Sequence, residues 1–303
     1  MTRILCIGEA MVELSGAGQP DLWRAGIAGD TLNTAWYLRR LLGQDWQVGY
    51  LTRVGTGPFS DRAVGFMAAE GLDVTHIARD PAREIGLYAI TLADGERSFS
   101  YWRDSSAARR LANDPAVLAR ALRGCALAYL SGITLAILPP EGRGHLMDAL
   151  AQARARGTLV VFDPNLRPRL WADADTMRAT IQQAAAQSDL VLPSFDDEAT
   201  HFGDADPAAT LARYLALGAG HVVVKNGGGP ICWDGAHGAG AIDDLRPEKP
   251  VDTTAAGDSF NAGYLAAWLA RPDCGAAVRA GHALSRQVIR HPGALVRAAL
   301  PPA

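Results

Sequence analysis

Residues Val251 to Ala270 read VDTTAAGDSFNAGYLAAWLA, a polar and small-residue run that passes into a helical apolar pattern. Asp252, Thr253 and Thr254 open it, Ala255, Ala256 and Gly257 follow, and Asp258 stands where the apolar periodicity begins. This predicts a loop feeding a helix. The first turn of a helix carries backbone N–H groups without an internal acceptor, and the helix dipole adds about half a positive charge there. Anions are stabilised at such an end. Small residues before it let a bulky oxyanion approach, and Gly257 is free to take a backbone angle that other residues resist. The loop is an expected anion cradle. The carboxylate in it has two explanations: Asp258 caps the helix, an interaction worth about 1 kcal/mol, or it takes a proton beside a bound phosphate.

On either side of this stretch, short apolar runs alternate with helical patterns. Strands are expected at Ile4 to Gly8, Val48 to Val54, Cys125 to Ser131, Leu159 to Phe162, Asp189 to Pro193 and His221 to Lys225. Helices are expected from Asp30, as N-cap, to Leu42 with Gly43 as the stop, near Ser60 to Glu70, and from Asp114-Pro115. Others are expected over Gly144 to Arg156, from Ser259, and from about Ala276 to Ile289. Continuously apolar strands belong to sheets covered on both faces. Repeated βα units make such sheets largely parallel, sandwiched by helices. The predicted fold is therefore an α/β three-layer sandwich forming one domain over residues 1–303.

Ligands of such sheets bind beyond the carboxyl ends of the strands. Polar groups fall there repeatedly: Gly29, Asp30 and Asn33, then Asp163-Pro164-Asn165-Leu166-Arg167, then Ser194 to Glu198, and Lys225 before the loop Asn226 to Pro230. Each of these also has a plain explanation as a cap, turn or acidic helix start.

Ile85 to Leu92 and Arg97 to Arg103 are strand-like runs joined through Asp94-Gly95, a strong two-residue hairpin signal. Counting back from that turn sets Ala93 against Glu96 and Tyr88 against Tyr101. Arg103, two residues further on, shares their face. Two phenols and a guanidinium suit a polar organic anion, but on these residues alone an ordinary solvated strand face with cross-strand aromatics is the preferred reading.

Composition narrows the function class. The 303 residues are 49% hydrophobic and 20% charged, with a formal net charge of −3, so no basic field draws the chain to nucleic acid or acidic membranes. Cys6, Cys125, Cys232 and Cys274 are scattered, with no metal-binding spacing. No apolar run reaches about 18 residues, and a cytoplasmic enzyme acting on small molecules is expected. The Walker A loop, the third Gly of a dinucleotide fingerprint, G-x-S-x-G and H-E-x-x-H are all missing from the sequence.

The run Asp252-Thr253-Thr254-Ala255-Ala256-Gly257-Asp258 resembles the second signature of the ribokinase-like (PfkB) carbohydrate kinases, D-T-x-G-A-G-D. Ala255 stands where many members have Gly, which fits if its backbone angle stays negative. Ala28 to Ala35, AGDTLNTA, is similar to their first region, G-G-x-x-x-N-x-A, and D-P-N-x-R at Asp163 to Arg167 is a recurring stretch. Tyr101-Trp102-Arg103-Asp104-Ser105-Ser106-Ala107 resembles the Y-x-R-x-x-S-A stretch of the family's sugar-acid branch, the 2-keto-3-deoxygluconate kinases. The likeness runs from Ile4 to about Ala294.

The resemblance implies a ribokinase-like fold with a small β-lid, formed by segments near 10–28 and 84–104, and ATP-dependent phosphorylation of a sugar acid. Asp258 would be the base, with Ala255, Ala256 and Gly257 as the anion hole. Gly29, Asp30, Asn33, Tyr88, Tyr101, Arg103 and Arg167 would hold the sugar acid. Asn165, Arg167, Ser194, Lys225, Gly227, Gly228, Ala255, Gly257 and His282 would meet ATP. Ser194 replaces the Asn of the family's N-x-x-E, and Glu198, with Asp197 as the other choice, would reach magnesium through water. A monovalent cation near Asp252 and Thr254 and a homo-oligomer paired through the lid are further expectations. A neutral-sugar kinase and a non-catalytic sugar-acid sensor are the competing readings.

Overall fold

Alternation along the first strand sets up the architecture. In β1 (Thr2–Ile7), Ile4 and Cys6 turn into one hydrophobic core while Leu5 and Ile7 turn into another. The computed structural model describes residues 1–19, 21–93 and 96–300. Its next elements are β2 (Met11–Gly16), β3 (Trp23–Ala28), α1 (Asp30–Leu41), β4 (Trp46–Val54), α2 (Pro58–Ala69), β5 (Ile77–Arg79), β6 (Gly86–Ala93) and β7 (Glu96–Trp102). Then come α3 (Pro115–Leu122), β8 (Cys125–Ser131), α4 (Gly132–Ile137), α5 (Pro140–Ala155), β9 (Leu159–Asp163), α6 (Ala174–Ala186), β10 (Leu190–Val191), α7 (Phe195–Phe202) and α8 (Pro207–Ala216). The chain closes with β11 (His221–Val224), β12 (Ile231–Gly235), β13 (Gly240–Ile242), α9 (Ala256–Ala270) and α10 (Cys274–Val288).

Nine strands form the central sheet in the order β13-β12-β11-β10-β9-β8-β1-β4-β5. It is parallel except where β12 runs against β11 and β13. One face packs on α1, α2, α9 and α10, through Leu32, Met67, Phe260 and Val278 among others. The other packs on α3, α4, α5, α6 and α8, through Leu118, Leu135, Leu146, Ile181 and Tyr214. This is the α/β/α sandwich expected from the apolar strand runs.

Four strands build a second sheet, in the order β3-β2-β6-β7. The Asp94-Gly95 turn lies outside the described residues, but the register beside it pairs Ala93 with Glu96 and Tyr88 with Tyr101, as counted from the sequence.

Helix starts differ from expectation in ways that matter for the site. Gly29, not Asp30, caps α1, and a Cβ on Gly29 would stand 2.2 Å from the Glu9 carbonyl oxygen. α9 starts at Ala256 rather than Ser259, with Ala255 as its cap. Gly257 lies inside the helix, and Ala255 takes the left-handed conformation at φ 60. The special backbone angle thus belongs to an alanine, contrary to both expectations about this loop.

Candidate active site

The carboxyl ends of β1, β8, β9 and β11, the start of α9 and one face of the second sheet enclose a cavity of about 490 Å³. Asp258 is buried in its wall, in the first turn of α9. It is not the helix cap, and its side chain turns across to α1, where the Asn33 side-chain amide donates to its Oδ2 at 2.8 Å. The Thr34 hydroxyl donates to its main-chain carbonyl at 3.3 Å. Burial, reinforced by the negative charges of Asp30 and Asp163, pushes the Asp258 carboxyl well above the usual carboxylate range; the Asn33 hydrogen bond and the Lys225 charge oppose the shift. A raised carboxylate is a stronger base once ionised.

Beside it the loop is wound tightly. The Ala256 N–H donates to the Thr253 carbonyl at 3.1 Å, so it is already engaged. Gly257 and Asp258 are first-turn residues whose N–H groups have no acceptor within the helix. A Cβ on Gly257 would stand 3.6 Å from the Lys225 Nζ, so the missing side chain keeps open the space between helix start and ammonium.

Lys225 is buried and is neutralised within the protein. Its Nζ donates to Asp163 Oδ2 and to Asn261 Oδ1, each at 3.1 Å. The Asn261 amide donates in turn to Asp163 Oδ2 at 2.6 Å and to the Tyr129 hydroxyl at 2.9 Å. Asp30 Oδ2 accepts from the Asn165 amide at 2.9 Å and from the Ser131 hydroxyl.

The second sheet supplies the opposite wall. Tyr88 and Tyr101 lie with ring centroids 5.9 Å apart, and Phe99 joins them. Arg103, 8% exposed, pairs through Nη2 with the buried Glu9, which follows β1. Glu9 Oε1 and Arg103 Nε are buried without a partner among the described residues. Arg167 is more open; its Nη1 donates to the Leu166 carbonyl at 2.6 Å, and its one carboxylate contact among the described residues is with Asp197 at 3.5 Å.

The chain matches the model of the pfkB family carbohydrate kinases over residues 1–299. It belongs to that family. It is 39% identical over 308 residues to the 2-dehydro-3-deoxygluconokinase of Escherichia coli (strain K12), covering 99% of each chain. Among solved structures it is similar to a PfkB protein from Polaromonas sp. JS666, with a TM-score of 0.82, 30% identity and 96% of each chain covered. It is also similar to a fructokinase from Vibrio cholerae O395 described with fructose, ADP and calcium ion bound. There the TM-score is 0.83 and the identity 25%, with 99% of this chain and 96% of that one covered.

In this pfkB kinase one cavity gathers Gly29, Asp30, Asn33, Tyr88, Tyr101, Arg103, Asn165, Arg167, Ser194, Lys225, Ala255, Ala256, Gly257 and Asp258. Gly227 and His282 line an adjoining cavity of about 150 Å³ that shares Ser194, Lys225, Ala256 and Gly257 with the first. The His282 Nε2 donates to the Arg246 carbonyl at 3.0 Å, so the ring is a fixed wall. Gly228 lines neither cavity; it packs beside Pro247.

The expectation for Glu198 is corrected. Its carboxylate is fully buried, held by Arg213 at 2.7 Å and by the Tyr214 hydroxyl at 2.9 Å. Its neighbour Asp197 is the one that faces the cavity, and desolvation raises the Asp197 carboxyl while Arg167 opposes the rise. Glu9 and Asn261 were not singled out from the sequence. Glu9 had a usable signal, being a charge at the carboxyl end of a doubly buried strand; Asn261 sits mid-helix, where nothing in the sequence marks it.

Proposed function

We propose that the protein transfers the γ-phosphoryl group of ATP to the 6-hydroxyl of 2-keto-3-deoxygluconate, giving 2-keto-3-deoxy-6-phosphogluconate and ADP. The observation that carries this reading is the meeting in one cavity of Asp258, aimed by Asn33, with two arginines, Arg103 and Arg167. Planar guanidinium groups suit a carboxylate, which a neutral sugar lacks. The E. coli relative's printed name, 2-dehydro-3-deoxygluconokinase, supports the same substrate.

In this mechanism Asp258 accepts the proton of the 6-hydroxyl as its oxygen bonds to the γ-phosphorus and the bond to the ADP oxygen breaks. Such base catalysis contributes about 10²- to 10⁴-fold. The N–H groups at the start of α9 stabilise charge on the transferring oxygens, which for phosphoryl transfer is the larger part of the work. Tyr88, Tyr101 and Arg103 orient the sugar acid, and the β2-β3-β6-β7 sheet acts as a lid that excludes water. Gly227 and His282 border the nucleoside end of ATP.

Magnesium supplies charge neutralisation at the ATP phosphates when bound. No group of three or more His, Cys, Asp or Glu among the described residues is arranged to hold a metal ion. That donor set fits a magnesium ion carried by ATP and its waters, which needs only one or two protein carboxylates, with Asp197 as the candidate.

A monovalent ion beside Asp252 and Thr254 is also proposed; turnover in potassium against sodium salts tests it. Exposed Trp23 and Trp102 on the edge strands β3 and β7 support self-association through the lid, which sedimentation velocity tests. No helix among the described residues is long and apolar enough to cross a membrane. ATP use and four free cysteines support a cytoplasmic setting.

One observation favours a second reading. Glu9 already neutralises Arg103, which suits a neutral sugar, as in the fructokinases. ADP release measured with 2-keto-3-deoxygluconate, fructose, ribose and no sugar decides between them, with Asp258→Ala as the control. Turnover with the sugar acid alone, lost in the variant, is the expected result. Preference for fructose or ribose overturns the sugar-acid assignment.

A further inference from the structure

A cavity of about 330 Å³ lies apart from the site above, at the stem of the β6–β7 hairpin. One wall is Arg83, just before β6, with Arg109 and Arg110, which follow β7 on a short helical turn. The two sides of the stem are joined by the Ala107 N–H, which donates to the Glu84 carbonyl at 2.8 Å. The other wall is the start of α5, whose cap residue Pro139 offers no side-chain acceptor, and the ring of His145.

The charges here do not cancel. The buried Asp80 is shared between Arg110 at 3.4 Å and Arg53 at 3.8 Å. Its other oxygen accepts the N–H groups of Ala82 and Arg83, at 3.0 and 3.1 Å, so one carboxylate fixes the backbone that carries Arg83 and turns Arg110. Arg83 and Arg109 have no carboxylate partner among the described residues. The single acidic residue on the lining, Glu141, is largely solvated and stands 4.0 Å from His145. The His145 Nδ1 donates to the Ala112 carbonyl at 3.1 Å, which leaves Nε2 for another partner. Three arginines and the first-turn residues Glu141 and Gly142, whose N–H groups have no acceptor within the helix, thus line one small space. Pro140 has no N–H, and the Arg143 N–H is bonded to the Pro139 carbonyl. The transfer chemistry uses none of these groups.

We propose that this pocket binds a small phosphate-bearing anion. Arginine forks match phosphate oxygens in pairs, and a helix start adds unpaired N–H donors. The volume is at the low end for small-molecule pockets, about 300–1,000 Å³, which admits inorganic phosphate or a phosphorylated monosaccharide acid and not a dinucleotide. The same stem carries Tyr88 and Arg103 into the main cavity, so a ligand here sits on the base of that wall.

Isothermal titration of the full-length enzyme tests this, with inorganic phosphate and with 6-phosphogluconate as probes and with ADP and magnesium filling the nucleotide site. The wild type should bind, and Arg83→Ala/Arg109→Ala should bind at least tenfold more weakly while ADP release with the preferred sugar stays within about twofold. Tighter binding of 6-phosphogluconate than of phosphate assigns the pocket to sugar phosphates; equal binding assigns it to the free ion. No binding by the wild type beyond a chloride control of equal ionic strength overturns the proposal, as does an unchanged Kd in the double variant. If that variant loses its circular dichroism, Arg109→Gln gives the same reading, with at least fivefold weakening expected and an unchanged Kd again overturning it.

Discussion

The Asn33 side-chain amide donates to Asp258 Oδ2 at 2.8 Å, joining the first turns of α1 and α9 across 225 residues of sequence. The bond leaves Oδ1 for another partner and fixes the direction in which the carboxylate faces the cavity. Asp258→Asn should lower kcat by at least about 10²-fold with little change in the KM for ATP. Asn33→Ala should lower kcat less, because the base survives but loses its aim. Steady-state ADP release on both variants measures this; an equal loss in the two would make Asn33 a substrate contact instead of a positioning residue.

Because Asp258 titrates above its unfolded value, the folded protein holds a proton at pH values where the unfolded chain has released it. Stability then falls as pH rises through that window. The carboxylate costs nothing below about pH 4, where both states are protonated, and its full penalty is present above the folded pKa. Asp258→Asn removes the penalty. The Tm of the substrate-free variant should therefore exceed that of the wild type at pH 8 and converge on it near pH 4, as scanning calorimetry across that range would register.

Ala255 holds a left-handed backbone angle that costs an L-residue about 1–2 kcal/mol. Ala255→Gly removes that cost but gives the unfolded chain more freedom, about 0.4–1 kcal/mol, so the Tm should rise slightly or stay unchanged. Ala255→Val should lose several degrees and most activity, since a branched residue tolerates positive φ poorly. Thermal melts of the two variants separate the backbone argument from a side-chain one, in which both would be harmful.

The sandwich was legible because six of its nine sheet strands, β1, β4, β8, β9, β10 and β11, are local apolar runs, and the Tyr88–Tyr101 pairing because hairpin register is counted from a turn. The short edge strands β5, β12 and β13 carry no such run. The pairs that finish the site were not. Glu9 meets Arg103 across the two sheets, and Lys225 after β11 meets Asp163 on β9 and Asn261 on α9, only after elements distant in sequence have been brought together. Asp197 and Glu198 are neighbours in sequence, yet a helix turns about 100° per residue, so one faces the cavity and the other is locked under Arg213. Which of them faced inward depended on where α7 began, and that is the least local property of a helix.

Glu9 and Arg103 form a buried pair with one unpartnered atom on each side, so the substrate-free pocket holds its guanidinium charge in check until a carboxylate arrives. Removing one member of a buried pair strands the other, at a cost of about 3–5 kcal/mol. Glu9→Gln keeps the size and one acceptor, so its cost should fall below that range, and the substrate-free Tm should drop. The sugar acid, by supplying the missing negative charge, should then raise the variant's Tm by more than it raises the wild type's. Arg103→Ala should show the reverse, with a lower Tm, the ligand-induced rise largely lost and sugar-acid turnover abolished. Differential scanning fluorimetry with and without 2-keto-3-deoxygluconate reads all three proteins, and an unaltered ligand shift in both variants would place the substrate carboxylate on Arg167.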